Sequence, residues 1–187
     1  MSYKIVKKAD LNSQIYLMEI EAPLVARKAA PGQFVILRMD EKGERVPFTI
    51  ADFDKEKGTV TVIIQAVGKT TRDLSKLNEG DTILDFAGPL GIPTPLEGLK
   101  KVAVIGGGLG TAIAYPQAKK LKELGAEVTA ISGFRSKEYI ILEDEMNAVS
   151  DKLIITTDDG SNGLQGFVTD RLREEFHISK LFTKDNI

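Results

Sequence analysis

The sequence predicts a β + α/β protein: a small six-stranded antiparallel barrel followed by a domain built on a parallel sheet. Three observations predict it. Up to about residue 97 the chain reads as short β-type runs separated by turn signals. A stretch rich in glycine and proline, Gly88-Pro89-Leu90-Gly91-Ile92-Pro93-Thr94-Pro95, then interrupts the pattern. Beyond it, short apolar strands alternate with helical periodicity, the signature of parallel strands joined by crossovers. The expected division is 1–97 for the barrel and 98–187 for the α/β domain. The second domain reads as truncated, because no strand is evident after its last helix.

The barrel elements are predicted at Tyr3–Val6, Gln14–Ile20, Gln33–Met39, Phe48–Asp52, Thr59–Val67 and Thr82–Phe86. Alternation is clearest at Phe34 and Ile36 and at Thr59, Thr61 and Ile63, which marks half-buried strands. Asp54-Lys55-Glu56-Lys57-Gly58 reads as a hairpin loop, with glycine where φ must be positive. Pro31-Gly32 reads as a turn, and Thr70–Leu77 as a helix that Thr70 or Thr71 can cap. In the second domain the strands fall at Val102–Ile105, Glu127–Ile131 and Leu153–Thr156. Helices are expected at Ala112–Leu124, Glu143–Val149 and Thr169–Phe176, with Pro116 kinking the first or delaying its start.

Composition bounds the function. Twenty-five basic against 27 acidic residues leave a net charge of −2, with no basic stripe, so nucleic acid is not an expected partner. No apolar run approaches the roughly 20 residues that span a bilayer, and a cytoplasmic location is expected. The absence of cysteine excludes disulfides, thiolate-held clusters and cysteine nucleophiles within these residues, and one histidine excludes a histidine-rich metal site.

The chemistry-bearing signal is Val102–Pro116, where a β-type run meets four glycines in five positions, Gly106, Gly107, Gly108 and Gly110. A glycine cluster directly after a strand lets a phosphate approach the backbone closely. The dinucleotide fingerprint GxGxxG fails in both frames, since its third glycine would be Thr111 or Ile113. The second strand also runs into Ser132-Gly133-Phe134-Arg135 without the acidic residue that reads a ribose. Val67-Gly68-Lys69-Thr70 suggests a triphosphate loop, but Ile63 stands where its first glycine belongs.

Five stretches in order carry a resemblance. They are Arg45-Val46-Pro47-Phe48-Thr49-Ile50, Val67-Gly68-Lys69-Thr70-Thr71, Gly88-Pro89-Leu90-Gly91, Gly106–Ala112, and Thr156–Ser161 with Gly163 and Gly166–Asp170. Together they resemble the ferredoxin–NADP reductase superfamily, over essentially the whole chain. Within it the chain is most similar to the electron-transfer subunits of dihydroorotate dehydrogenases and the small subunits of NADH-dependent ferredoxin–NADP oxidoreductases. The resemblance implies that the barrel binds FAD, the second domain binds NAD(P)H, and the flavin passes electrons to a partner. That partner would be a larger flavin or iron–sulfur subunit, or ferredoxin, in a hetero-oligomer. The alternative is a non-catalytic flavin-binding or regulatory subunit. The similar subunits continue into further strands and a cysteine-rich 2Fe–2S end, so this chain is expected to be either a fragment or naturally short.

The resemblance also assigns residues. Arg45 would meet the FAD pyrophosphate, Pro47 and Phe48 would wall the isoalloxazine, and Thr49 would reach the reactive edge of the flavin as the catalytic residue. Arg45 stands four residues before Thr49, where the superfamily places its arginine three before, so its role is expected to be shared with, or moved to, another cation. Gly68, Thr70 and Thr71 would serve the same pyrophosphate. Gly106, Gly107, Gly108 and Gly110 would take that of the nicotinamide cofactor, with Ile113 where the family has proline. Asp158, Asp159 and Ser161 lie at a strand's C-terminal end, where open α/β sheets bind ligands. Arg135 falls where the adenosine ribose is read; an arginine suits a 2′-phosphate, whereas the resemblance implies NADH.

Overall fold

A computed structural model describes residues 2–177; positions 178–187 of the expected second domain lie outside them. The N-terminal half contains β1 (Tyr3–Asp10), β2 (Ile15–Glu21), α1 (Pro23–Ala26), β3 (Phe34–Arg38), β4 (Val46–Thr49), β5 (Asp52–Asp54), β6 (Thr59–Gln65), α2 (Lys69–Leu74), β7 (Thr82–Ile83) and β8 (Asp85–Leu90). The C-terminal half contains β9 (Lys101–Gly107), α3 (Gly110–Glu123), β10 (Glu127–Phe134), α4 (Glu143–Ala148), β11 (Lys152–Thr157) and α5 (Val168–Glu175).

Alternation builds the first half. Tyr16, Met18 and Ile20 of β2 and Val60, Val62 and Ile64 of β6 point into one core with Ile5, Val35 and Leu37. The antiparallel strands form two sheets over that core, ordered β5-β6-β2-β1-β7 and β4-β3-β8. Eight strands therefore stand where six were expected, and no closed barrel forms among the described residues. The reason is sheet switching at corners. The run Phe48–Asp52 breaks at Ile50 and Ala51, both buried, so that β4 pairs with β3 while β5 pairs with β6. The run Thr82–Phe86 breaks at Leu84 in the same way, giving β7 to β1 and β8 to β3. Gly88-Pro89-Leu90, expected in the linker, completes β8 instead, with Gly88 packed so closely on Val35 that a Cβ would lie 2.7 Å from its Cγ1.

The second half is a parallel sheet ordered β11-β10-β9, each step crossed by helix. α3 starts at Gly110, before the expected Ala112, and runs unbroken through a buried Pro116. β10 extends three residues beyond its predicted end and so delivers Arg135 directly at the sheet's C-terminal edge.

The halves share a second core. β2 and β6 are buried on both faces: Ile15 and Ile63 point away from the first core and join Ala51, Leu96, Ala112, Ala118 and Leu121. The helix that begins at the glycine loop thus docks on the outer face of the larger antiparallel sheet. Lys119 of α3 donates to both carboxylate oxygens of Asp52, at 2.7 and 2.9 Å.

Candidate functional site

Thr70 Oγ1 donates to Glu44 Oε2 at 2.9 Å, tying the loop before β4 to the start of α2. Tyr16 Oη donates to the Thr71 carbonyl at 2.6 Å and pins α2 to β2. Arg45 and the Gly68–Thr71 segment, separate in sequence, are thereby neighbours. α2 begins at Lys69, earlier than expected, because the Thr71 hydroxyl already accepts the N–H groups of Val67 and Gly68 at 3.1 and 3.0 Å. That hydroxyl caps the helix, while the Thr70 hydroxyl faces the Arg45 loop.

Arg45 is 63% exposed and donates to Asp85 Oδ2 at 3.1 Å. Arg38 Nε shares the same oxygen at 2.7 Å, which sets a second guanidinium beside Arg45. One engaged nitrogen leaves most of the guanidinium's five donors free. The register of β4 on β3 sets Pro47 and Thr49 opposite Ile36 and Phe34, on the outer face of the smaller sheet. Phe48 lies opposite the fully buried Val35 and packs against the first core. The flat surface beside Thr49 is consequently formed by Pro47 with Ile36 and Phe34 from β3 rather than by the Phe48 ring.

The four loop glycines separate on physical grounds. A Cβ at Gly106 would sit 2.7 Å from Thr111 Cα and 2.9 Å from its N, so this glycine lets β9 and α3 pack. Gly108 adopts φ +52°, where a side chain is strained, and its N–H donates to the Gly133 carbonyl at 2.8 Å. Gly107 and Gly110 have neither reason: a Cβ at either meets nothing within 4 Å, and neither has positive φ. The space that side chains would fill there is open, which fits the close approach of a pyrophosphate to the backbone.

Gly107 and Gly108 line a cavity of about 280 Å³ at the C-terminal ends of the parallel strands. Arg135, Asp158, Gly166 and Phe167 line it too. The Arg135 guanidinium lies 5.6 Å from the centre of the Tyr139 ring. Phe167 is 64% exposed, a bare aromatic surface beside the glycines. Asp159 and Ser161 stand apart from the cavity lining. Asp159 Oδ1 accepts from the Ser161 hydroxyl at 2.6 Å and its N–H at 2.9 Å, and the Ser161 oxygen accepts the Lys137 N–H. These bonds hold the Asp159 carboxyl below the usual carboxylate range, the Ser161 hydroxyl contributing most. The pair shapes the loop that carries Asp158. Nothing in the local sequence of Phe167 distinguishes a cavity aromatic from a core one. Gly133 is equally mute in sequence, yet a Cβ there would strike Val168 Cγ1 at 2.5 Å, so it fixes α5 against the sheet.

Thr49 and the glycine loop converge through the second core, which contains both Ala51, two residues after Thr49, and Ala112, two after Gly110. Two candidate half-sites, one on antiparallel sheet and one on parallel sheet, thus adjoin one buried core.

This is the architecture of the ferredoxin–NADP reductase fold, with an FAD-binding oxidoreductase domain at its N-terminus. The family "Oxidoreductase FAD-binding domain" matches residues 2–93. A Thermotoga maritima homologue of the dihydroorotate dehydrogenase B (NAD(+)) electron transfer subunit is 46% identical over 95% of this chain and 62% of its own. The corresponding electron transfer subunit of Shouchella clausii is 37% identical over 91% of this chain and 68% of its own. The solved NADH-dependent reduced ferredoxin–NADP oxidoreductase, a flavin-based electron-bifurcating enzyme, superposes with a TM-score of 0.88 at 45% identity, over 97% of this chain and 65% of that one. The chain belongs to the family of dihydroorotate dehydrogenase B electron transfer subunits and their homologues. It spans less than two thirds of the length of the Thermotoga relative and of the bifurcating enzyme's chain. Among the described residues no helix is long and apolar enough to cross a membrane.

Proposed function

We propose that this chain is the FAD- and NAD(P)H-binding part of an electron-transfer oxidoreductase subunit. Residues 1–97 hold the flavin, residues 98–187 hold the nicotinamide nucleotide, and a larger flavin or iron–sulfur subunit, or ferredoxin, receives the electrons in a cytoplasmic hetero-oligomer. Bound FAD would supply hydride acceptance and single-electron release. The chain's residues bind and orient. Arg45, helped by the neighbouring Arg38 and the N–H groups of Lys69 and Thr70 in the first turn of α2, neutralises the flavin's pyrophosphate. Pro47 and the outer face of β3 support a planar ring, and Thr49 places its hydroxyl and backbone at the ring's reactive edge. Gly107, Gly108 and Gly110 present backbone to the second pyrophosphate, Phe167 offers a stacking surface, and Arg135 and Asp158 compete to set the preference between NADPH and NADH. No side-chain acid or base is needed for a hydride to pass.

The observation that carries this reading is the open backbone at Gly107 and Gly110, two glycines the fold itself does not require, the first of them lining the cavity at the strand ends. Calorimetric titration of NADH and NADPH tests it. Gly107→Ala is expected to weaken the preferred nucleotide at least about tenfold, near 1.4 kcal/mol, with an unchanged melting temperature. Equal affinity in the variant and the parent would remove the nucleotide from this loop.

A further inference from the structure

Lys119 and Asp52 form the only ion pair joining the antiparallel and parallel halves among the described residues. Asp52 opens β5 three residues after Thr49, and the buried corner Ile50-Ala51 joins it to the strand that carries the candidate flavin edge. Lys119 lies nine residues after Gly110 on one continuous helix. At about 1.5 Å per residue the helix is a rod of roughly 13 Å between the ion pair and the glycine loop, so a tilt at one end displaces the other.

On this side the interface is not closed by packing. The pair borders a cavity of about 380 Å³ between the halves, lined by Pro31, Phe53 and Lys55 from one and by Pro116, Lys120 and Glu123 from the other. Of the buried α3 residues, Ala118 and Leu121 join Ile15, Ala51 and Ile63 in the second core, while Pro116 borders the cavity. Beside this open space the two hydrogen bonds of Lys119 to Asp52 tie the halves together.

We propose that the Lys119–Asp52 pair is a latch that fixes the separation of the two cofactor half-sites, with Lys119 a positioning residue for hydride transfer. The inference rests on the functional reading above. Both side chains are about one third exposed, so the pair adds little to stability. Reaction rate responds to geometry far more steeply: a misplacement of about 1 Å can cost a hundredfold. The latch therefore acts on rate and not on folding.

The absence of cysteine from the 187 residues makes the test direct, because introduced cysteines at the exposed positions Glu56 and Asp144 are the only labelling sites in the chain. Spin labels on Glu56→Cys and Asp144→Cys report the distance between the halves with and without FAD. In Lys119→Met the distance distribution should broaden by several Å, with flavin content and melting temperature unchanged. The rate of flavin reduction at saturating NADH or NADPH, whichever the parent uses, should fall about tenfold or more, while KM stays within about twofold. Lys119→Arg should restore both. An unchanged distance distribution in Lys119→Met overturns the latch, and so does a broadened one with an unchanged reduction rate. If neither nucleotide reduces the parent protein, the functional reading fails, and the labels still decide whether the pair holds the halves together.

Discussion

Gly106 and Gly107 are neighbours at the end of β9 and are kept for unlike reasons. Gly106 faces the backbone of Thr111 at 2.7 Å, so Gly106→Ala must push β9 and α3 apart. Its expected cost is about 1–3 kcal/mol in denaturant unfolding, as for other overpacked sites, whereas Gly107→Ala should stay within about 0.5 kcal/mol. Equal destabilisation of the two would contradict the division of the loop into a glycine that packing requires and one that it does not. Arg45 supports a parallel argument. Its bond to Asp85 is largely exposed and adds little to folding, so Arg45→Ala should leave the melting temperature nearly unchanged. In flavin titrations the same variant should bind FAD more weakly by about 1.5–3 kcal/mol, the value of a lost charge-assisted hydrogen bond. FMN, which lacks the pyrophosphate, should bind weakly to both proteins. At this scale the sequence marks residues whose type is itself the chemistry, as with Arg45 and the glycines. It is silent on Phe167 and Gly133, whose surroundings exist only once α5 has packed on β10.

Carboxylates hold several elements at their ends. Asp54 Oδ1 accepts the N–H groups of Glu56 and Lys57, each at 2.9 Å, and closes the β5–β6 hairpin. Asp151 accepts the Val128 N–H at 2.8 Å and the Lys122 ammonium, joining the end of α3 to β10. Asp73 pairs with Lys76 at 2.7 Å and Lys69 at 3.0 Å along α2. Each carboxyl is held below its ordinary range, Asp54 chiefly by the Lys57 N–H, Asp151 by Lys122 and Asp73 by Lys76. The unfolded chain then binds protons at a higher pH than the folded one. The stabilisation is complete above about pH 5 and is lost as pH falls through the lower folded values. Melting temperature should accordingly hold from pH 7 to 5 and fall below about pH 4, and Asp54→Asn should make that fall shallower. A melting temperature that rises on acidification would contradict these contacts. Helices and parallel strands were legible at this scale from periodicity and glycine stops. The corners at Ile50-Ala51 and Leu84 were not, because period-2 alternation says which face is buried and nothing about which neighbour a strand pairs with.

The function proposed for the whole molecule depends on how its halves meet. Ile15 and Ile63 belong to strands that already bury their other face, and they form the surface on which α3 sits. That second buried face was hidden in sequence, since a strand covered on both sides reads as an apolar run whose second partner is unnamed. Its consequence is functional: the chain segment after Thr49 and the helix after Gly110 are fixed in one core, so the proposed flavin edge and nucleotide cradle share a frame. The most direct measurement is anaerobic stopped-flow mixing of the FAD-loaded chain with NADH and with NADPH, following flavin absorbance near 450 nm. The account predicts rapid bleaching by one of the two, suppressed in Gly107→Ala while flavin content stays normal. A chain that holds FAD stoichiometrically yet is bleached by neither nucleotide would contradict it.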